Sequence, residues 1–286
     1  MSTRQDDALT APGSVPPVPG PSFADRYGPW AVVTGAAQGI GAAFADELAA
    51  RGVDVALVDR AADQLSARAE AVRAAAAGRA VREAVIDLAA ADGADAVLAA
   101  VADVDIGLLV NNAALSYEGP LLAQGLPAAL TQLDVNCRVP LTLVHALLPR
   151  LVARGRGGIV LLSSLSAMRG APLVAGYAAT KAWNRILAES LWDEMRETGV
   201  DVMAVLPGST RTPGWLASRP QESAGTANVM DPADVAREAL DALGDGPSFV
   251  AGAANREAEA FMASLPPEDA VRLMGDVMRT MYPPDR

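Results

Sequence analysis

A tyrosine and a lysine stand four positions apart in a stretch with helical character. Lys181 is the only lysine of the chain, and all other residues in the total of 23 lysines and arginines are arginines. Side chains at positions i and i+4 of a helix share one face, so Tyr177 is expected beside the ammonium group. A neighbouring cation favours the phenolate and lowers the pKa of a phenol from about 10. The pair predicts acid–base chemistry at Tyr177, although an isolated pair of this spacing also fits a plain helix surface.

A glycine-rich turn lies far upstream of this pair. Residues 34–41 read Thr-Gly-Ala-Ala-Gln-Gly-Ile-Gly, directly after a short apolar run and directly before a helical pattern. Such a turn brings main-chain N–H groups and the positive end of a helix dipole to the phosphates of a dinucleotide. A plain strand-to-helix turn is the alternative. The candidate phosphate-binding residues are Gly35, Gln38, Gly39, Ile40 and Gly41.

An acidic residue closes the second apolar run. A carboxylate at Asp59 would bond the adenosine ribose hydroxyls and repel a 2′-phosphate, which predicts NAD rather than NADP as cofactor. Gln38 stands where a basic residue would help to bind that phosphate, and it favours the same choice. Arg60 is adjacent and could instead meet a phosphate, so NADP stays possible. Asp59 could also be a simple polar strand end.

Short apolar runs alternate with helical patterns along most of the chain. Buried strands that alternate with helices are typical of an α/β protein with a parallel sheet covered by helices on both faces. We therefore expect one Rossmann-type, doubly wound sheet of about seven strands, in the order 3-2-1-4-5-6-7. The predicted strands are Trp30–Thr34, Asp54–Asp59, Ala80–Ile86, Ile106–Asn111, Gly158–Ser163, Val200–Leu206 and Ser248–Ala251. The predicted helices are Ile40–Arg51, Ala62–Ala76, Asp92–Val101, a long one around Ala128–Ala153, Val174–Thr198 and Pro232–Leu243.

The chain divides into three parts by composition. Residues 1–24 are polar and rich in proline, which predicts a disordered or loosely packed arm. Residues 25–254 carry the strand and helix alternation and form the expected single domain. Residues 255–286 are predicted to be a helical extension packed on that domain, with helices over Arg256–Ser264 and Glu268–Met281.

Charge and composition exclude several classes of function. A net charge of −11 and a pI near 4.6 argue against nucleic acid or an anionic membrane as partner. No apolar run approaches the roughly 20 residues that span a bilayer, and the first residues do not resemble a signal peptide. One cysteine and one histidine exclude an internal disulfide and argue against a metal site. We expect a cytoplasmic protein without a metal.

With these motifs in register, the chain resembles the short-chain dehydrogenase/reductase family from about Tyr27 to Ala254. Its glycine turn, the Asn-Asn-Ala-Ala run at 111–114 (with alanine in place of the family's last glycine) and the Tyr-x-x-x-Lys pair match family motifs. The resemblance implies four catalytic residues: Asn136, Ser164, Tyr177 and Lys181. It also implies that the cofactor is contacted by Asp87, Leu88, Asn112, Ala113, Ala114, Tyr177, Lys181, Pro207, Gly208, Thr210 and Thr212.

The family's chemistry assigns a role to each catalytic position. Tyr177 would exchange a proton with the substrate oxygen, and Ser164 would orient that oxygen. Lys181 would also hold the nicotinamide ribose, and Asn136 would anchor a water that links Lys181 to solvent. The implied reaction interconverts a secondary alcohol and a ketone with NAD(P)(H). Alternatives on the same fold are a lyase, isomerase or cyclase that uses the same tyrosine, and a nucleotide-sensing binding protein.

Three segments are expected to form the substrate wall, and their mainly apolar side chains predict an apolar or aromatic alcohol or ketone. The polar run Ala217–Asn228 would be a mobile lid or a passive loop. We expect a homodimer through the two long helices around Ala128–Ala153 and Val174–Thr198, with the tetramer common in the family still possible. The candidate substrate residues are Leu165, Ser166, Met168, Leu173, Val174, Trp215 and Leu216.

Overall fold

Seven parallel strands form one sheet in the order β3-β2-β1-β4-β5-β6-β7, as the sequence predicts. The computed structural model describes residues 21–218 and 228–283. Most of the proline-rich arm and most of the predicted lid lie outside the described residues. The strands are β1 (Trp30–Thr34), β2 (Asp54–Asp59), β3 (Val81–Val85), β4 (Ile106–Asn111), β5 (Gly157–Leu162), β6 (Val200–Leu206) and β7 (Ser248–Val250).

Helices connect successive strands and cover both faces of the sheet. One face carries α2, α3 and α9, whose apolar side chains pack with those of the central strands. The other face carries α4, α6 and α7. The helices of the described chain are α1 (Phe23–Tyr27), α2 (Gly39–Ala50), α3 (Ala62–Ala75), α4 (Gly93–Ala100), α5 (Leu126–Leu133), α6 (Val139–Arg154), α7 (Ala175–Glu194), α8 (Pro213–Ala217), α9 (Pro232–Asp241), α10 (Ala253–Ser264) and α11 (Pro267–Met281).

The central strands are buried on both faces, and this explains why their sequences are continuous apolar runs. All residues of β4 and β5 are buried, as are all but the ends of β1 and β2. Parallel strands that run between two helical layers have no solvent-facing side. Their carboxyl ends meet along one edge of the sheet, where ligands of such folds bind.

The short helix α1 begins inside the segment that the sequence predicts to be a loose arm. Ser22 and Asp25 form a capping box at its start. The Tyr27 hydroxyl donates to the Asp201 carboxylate at 2.7 Å and lies 3.1 Å from the Leu243 carbonyl oxygen. These contacts reach residues far along the chain, so a local composition argument misses them. The prediction that the arm extends to residue 24 is therefore wrong at its end.

The predicted long helix around Ala128–Ala153 is divided in the structure. It consists of α5, one π-helical turn over Asp134–Arg138, and α6. A π turn holds one more residue than an α turn and is frequent at functional sites. This turn contains Asn136, one of the predicted catalytic residues.

Two absences hold for the described residues. None of their helices is long and apolar enough to cross a membrane. Nor does any group of three or more His, Cys, Asp or Glu side chains in 21–218 and 228–283 form a possible metal site.

Helix α1 approaches β4 so closely that only glycine fits at position 107. A β-carbon on Gly107 would lie 2.3 Å from the carbonyl oxygens of both Tyr27 and Gly28. We expect Gly107→Ala to displace α1 and to lower the free energy of unfolding by about 1–3 kcal/mol. Urea unfolding followed by circular dichroism measures this.

Gly246 provides the control, because a β-carbon there meets no atom within 4 Å. Gly246→Ala should leave the unfolding midpoint close to that of the unaltered protein. Equal stability of the two variants would show that α1 does not depend on this contact.

Candidate active site

A cleft of about 350 Å³ lies at the carboxyl edge of the sheet and is lined by most predicted cofactor residues and by Tyr177 and Lys181, whereas the predicted catalytic residues Asn136 and Ser164 do not line it. Its wall combines the glycine turn, the ends of the central strands and the Tyr177–Lys181 pair. Sequence reasoning missed Ile86, Ala89, Leu115, Val135, Leu162, Pro213 and Gly214, which also line it. The predicted residues in its wall are Gly35, Gln38, Gly39, Ile40, Asp59, Arg60, Asp87, Leu88, Asn112, Ala113, Ala114, Tyr177, Lys181, Pro207 and Thr212.

The glycine turn is tight because two of its residues have left-handed backbone angles and the third has no space for a side chain. Gly35 and Gly39 have φ values of 67° and 62°, which favour glycine. A β-carbon on Gly41 would lie 2.1 Å from the Gly35 carbonyl oxygen. Gly41 therefore stands behind the cleft wall and lets α2 pack against the turn.

The start of α2 offers unsatisfied main-chain donors to the cleft. Gln38 is the N-cap residue, and its side chain makes no capping hydrogen bond. The first N–H groups of a helix have no partner inside the helix. Because Gln38, Gly39 and Ile40 line the cleft, these donors are suited to an anionic group such as a phosphate.

Thr34 joins the ends of β1 and β4 beneath this turn. Its hydroxyl oxygen accepts from the main-chain N–H groups of Asn112 at 3.0 Å and Ala113 at 3.1 Å. The Asn112 amide donates back to the carbonyl oxygens of Thr34 and Gly35. The turn and the Asn112–Ala114 segment are thus held as one rigid wall.

Asp59 braces the same turn from β2. One of its carboxylate oxygens accepts from the Ala37 N–H and the other from the Ala61 N–H, both at 3.1 Å. Arg60 is exposed beside it. The negative charge therefore has a fixed position at the cleft wall, and the exposed Arg60 lines the same cleft.

The segment 207–212 closes the cleft on the opposite side. Thr212 caps α8 by accepting from the Trp215 N–H at 3.1 Å, and its methyl group lies against Gly39. Gly208 and Thr210 do not line the cleft: Gly208 packs on the Asn255 amide, and the buried Thr210 pairs with Met230. These two predicted cofactor residues therefore support the wall from behind.

Lys181 is buried against the end of β5. Its Nζ donates to the Leu162 carbonyl oxygen at 2.6 Å and lies 5.6 Å from the centroid of the Tyr177 ring. Burial lowers the pKa of Lys181 from 10.5 to about 8, which the nearby Cys137 thiol partly opposes. The Ser163 hydroxyl donates to the Lys181 carbonyl oxygen at 2.7 Å and so fixes this turn of α7.

The pKa of Tyr177 does not follow the sequence prediction. Burial raises it from 10.0 to about 12, the Ser164 hydroxyl opposes this shift, and Glu118 and Tyr282 add to it. The predicted lowering by Lys181 is therefore wrong for the protein groups themselves. The reason is geometric, because the ammonium group bonds the Leu162 carbonyl and faces the ring.

Ser164 stands next to this phenol at the end of β5. Its hydroxyl oxygen accepts from the Ser166 hydroxyl at 3.0 Å and from the Ser166 N–H at 3.2 Å. With both donors directed at its oxygen, the Ser164 hydroxyl uses its own hydrogen toward the Tyr177 phenol, whose pKa it lowers. Ser166 is itself buried, so it supports Ser164 and does not face the cleft.

The seven predicted substrate residues lie in the expected segments, but none of them lines the cleft described above. Val174 joins a small apolar cluster with Ala171, Ala178 and Tyr177. Met168 instead packs on the main core and beside the Arg185 guanidinium. Leu173 has a φ of 66°, and its carbonyl oxygen accepts from Gly119 N–H at 2.7 Å. Leu165 bonds Pro207 through its main chain, Trp215 is partly buried, and Leu216 is exposed.

Helix α11 adds residues beside Tyr177 that sequence reasoning did not name. Met274 and Met278 pack against the cluster of Val174 and Tyr177. The Tyr282 hydroxyl lies 3.2 Å from the Ser218 hydroxyl, which itself donates to the Trp215 carbonyl oxygen. No local motif marks these residues, because only the folded C-terminal segment brings them to the site.

Burial of the Lys181 ammonium has a consequence for stability. Its pKa of about 8 lies below the ordinary 10.5, so the unfolded chain binds more protons between these values and stability rises with pH there. We expect Lys181→Met to be more stable than the unaltered protein by about 1–3 kcal/mol at pH 7. Urea unfolding at pH 7 and pH 9.5 measures the difference.

The gain should shrink at the higher pH, because by pH 9.5 the folded unaltered protein has released the ammonium proton while its unfolded chain still holds it, so the cost of burying the charge is largely gone. Tyr177 does not interfere, since its pKa is raised above 10 and its own effect begins at higher pH. A Lys181→Met variant less stable than the unaltered protein at pH 7 would contradict the assignment of a strained, buried ammonium.

The chain is similar in sequence to known proteins. The family model described as short chain dehydrogenase matches residues 29–223. A 7beta-hydroxysteroid dehydrogenase of Clostridium sardiniense is 33% identical over 260 residues, which are 91% of this chain and 99% of that protein. A very-long-chain 3-oxoacyl-CoA reductase of Homo sapiens is 34% identical over 184 residues, 63% of this chain and 59% of that protein.

Solved structures agree in fold. A structure of a 7beta-hydroxysteroid dehydrogenase superposes with a TM-score of 0.83 at 27% identity, covering 88% of this chain and 99% of that one. A short-chain dehydrogenase from Sphingobium yanoikuyae in complex with NADPH gives a TM-score of 0.71 at 30% identity, covering 83% and 96%.

Proposed function

The chain belongs to the short chain dehydrogenase family, and on this premise we propose that it interconverts a secondary alcohol and a ketone with NAD(H). One observation carries the proposal. The glycine turn, the Asp59 carboxylate and the Tyr177–Lys181 pair border a single cleft. A dinucleotide and an acid–base group therefore meet where a hydride and a proton have to be exchanged together.

The residues of the cleft fit a dinucleotide. The turn excludes a side chain at Gly41 and presents uncapped N–H groups at the start of α2, which suits a pyrophosphate. Asp87 and Leu88 are suited to the adenine, and Lys181 to the nicotinamide ribose. The bound nicotinamide would accept or supply the hydride, and every other step falls to side chains of this chain.

Tyr177 is the proton donor to the ketone oxygen and the acceptor in the reverse direction. Its raised pKa keeps the phenol protonated at neutral pH, as a general acid requires. The Ser164 hydroxyl interacts with this phenol, so it is placed to donate to the same oxygen and to stabilise the charge that develops on it. Lys181 holds its proton near neutral pH, with a pKa of about 8, and is suited to resupply Tyr177.

The cofactor preference proposed for this chain is NAD. The Asp59 carboxylate is fixed by two main-chain N–H groups, so it cannot turn away from a 2′-phosphate. Arg60 is exposed and is the residue that would favour NADP instead. The structurally similar short-chain dehydrogenase from Sphingobium yanoikuyae was solved in complex with NADPH. The choice between NADH and NADPH therefore has to be measured for this chain.

The proposed substrate is a bulky, mainly apolar ketone or alcohol. Tyr177, Met274 and Met278 pack against the same small apolar cluster, which contains Val174, and methionine side chains adapt to irregular apolar shapes. Relatives named for hydroxysteroids and for 3-oxoacyl-CoA support a large apolar substrate. The hydroxysteroid relative matches along 99% of its own length.

We expect NADH to bind at least tenfold more tightly than NADPH in fluorescence titrations. Asp59→Asn should lower this preference about tenfold, because it removes the charge that repels the 2′-phosphate. The exposed Asp63, at the start of α3, is the matched control. Asp63→Asn removes one nearby charge and should leave the ratio unchanged. Tighter binding of NADPH to the unaltered protein would refute the NAD preference.

Tyr177→Phe should retain NADH binding and lose turnover by a factor of about 10²–10⁴, as expected when a general acid is removed. The assay follows NADH absorbance with a panel of bulky ketones, including keto steroids. Tyr27→Phe is the control, because this buried phenol lies away from the cleft. Turnover of Tyr177→Phe within twofold of the unaltered enzyme would exclude the proposed role.

A further inference from the structure

Three buried polar residues connect helix α7 to the π turn behind the catalytic pair. Asn136 lies in the turn, and Thr180 and Asn184 lie on α7. Each of these side chains is at most 2% exposed. Asn184 follows Tyr177 by seven residues and Lys181 by three. The side chains of Tyr177, Lys181 and Asn184 therefore lie along one face of α7.

The side chain of Asn136 is fully occupied by structural hydrogen bonds. Its Nδ2 donates to the Leu115 carbonyl oxygen and to the Thr180 hydroxyl, both at 2.9 Å, and its Oδ1 accepts from the Leu115 N–H at 2.8 Å. An amide has two N–H hydrogens, so none is left for the cleft. Asn136 therefore acts on the chemistry through the position of its main chain and of the residues that it holds.

Thr180 passes this restraint to the catalytic tyrosine. Its hydroxyl accepts from Asn136 and donates to the Tyr177 carbonyl oxygen at 2.8 Å. The side chain of Asn136 is thereby linked to the main chain that carries the phenol. This link holds the π turn through the side chain of Asn136 and not through its main chain.

Asn184 makes the second link, to the main chain of the turn itself. Its Nδ2 donates to the Asn136 carbonyl oxygen at 2.8 Å and to the Thr180 carbonyl oxygen at 3.0 Å. A π turn disturbs the regular pairing of helical carbonyls, and the Asn184 amide supplies a donor at that point. Reversing the amide would set its oxygen against two carbonyl oxygens, so the orientation is unambiguous.

The remaining atom of Asn184 argues against a purely stabilising role. Its Oδ1 is buried and accepts no hydrogen bond from the described residues. An unpaired buried oxygen opposes stability, and a leucine of similar volume would avoid it. Asn184 is therefore better explained by its two donated bonds, which lie between Asn136 and Lys181, than by a gain in stability.

We infer that Asn184 is a positioning residue that fixes the π turn to α7 and thereby holds Lys181 and Tyr177 in their working geometry. The kinetic part of this inference rests on the proposed function. Its structural part does not, because the state of Lys181 can be observed without substrate.

The single lysine makes that observation direct. Protein labelled with [¹³Cε]lysine gives one side-chain signal, from Lys181 alone, and its shift against pH yields the pKa. The titratable groups that the structure sets against this ammonium are Cys137 and Tyr177. A loosened turn admits water, which relieves the burial that lowers the pKa.

Asn184→Leu is expected to raise the pKa of Lys181 by at least one unit toward 10.5. With a ketone from the panel above, it should lower kcat at least tenfold and change the KM for NADH less than twofold. Tyr27→Phe is the matched control, since it also removes buried hydrogen bonds but does so beside β6. It should lower the melting temperature without changing the Lys181 titration or kcat.

Asn184→Asp provides a test within one folded protein. Only a protonated carboxyl can donate to the Asn136 carbonyl oxygen, so its kcat relative to the unaltered enzyme should rise as the pH falls from 8 to 6. A flat ratio would overturn the inference, even if Asn184→Leu fails to fold.

An unchanged Lys181 titration in Asn184→Leu would also overturn it, as would equal changes in Tyr27→Phe. If the unaltered protein turns over no ketone, the proposed function fails. The ¹³C titration still decides the role of Asn184 in that case.

Discussion

The buried ammonium of Lys181 is the constraint on which the rest of the site depends. A cation out of contact with water is unfavourable unless its surroundings supply fixed acceptors and partners. Here the carboxyl end of β5 supplies the Leu162 carbonyl, the phenol ring of Tyr177 faces the charge, and Ser163 fixes the lysine's own main chain. The sheet edge, α7 and the π turn must therefore meet at one point, and the cleft follows from that meeting.

The two sides of the site are held by different kinds of contact. The glycine turn, Thr34 and Asp59 hold the cofactor side through main-chain hydrogen bonds that leave little freedom. The opposite side, near Met274 and Met278, is held by apolar contacts that are not directional. The wall with the glycine turn is thus held by directional hydrogen bonds, whereas the surroundings of Met274 and Met278 are held by apolar packing.

Much of this architecture could be predicted from sequence because it depends on residues that are close together along the chain. The bounds of β1, β2, β4 and β6 agree with the predicted ones, since strands buried on both faces must be continuous apolar runs. The glycine turn has a short-range steric reason for each glycine. Helix α1, by contrast, depends on Tyr27 reaching Asp201, and the π turn follows a sequence that reads as an ordinary helix. The pKa of Tyr177 depended on burial and on the direction of one ammonium group, which spacing alone does not determine.

The position of α11 beside Tyr177 has a consequence for how this enzyme acquires its selectivity. The helix is the last element of the described chain, yet it packs on the same apolar cluster as Tyr177, the proposed acid–base residue. Every residue of the acid–base apparatus is synthesised before it. Exchange of this terminal segment by recombination can alter which molecules reach the phenol while the catalytic core is inherited unchanged. Thioether oxidation of Met274 or Met278 would make the same wall polar within the lifetime of one molecule.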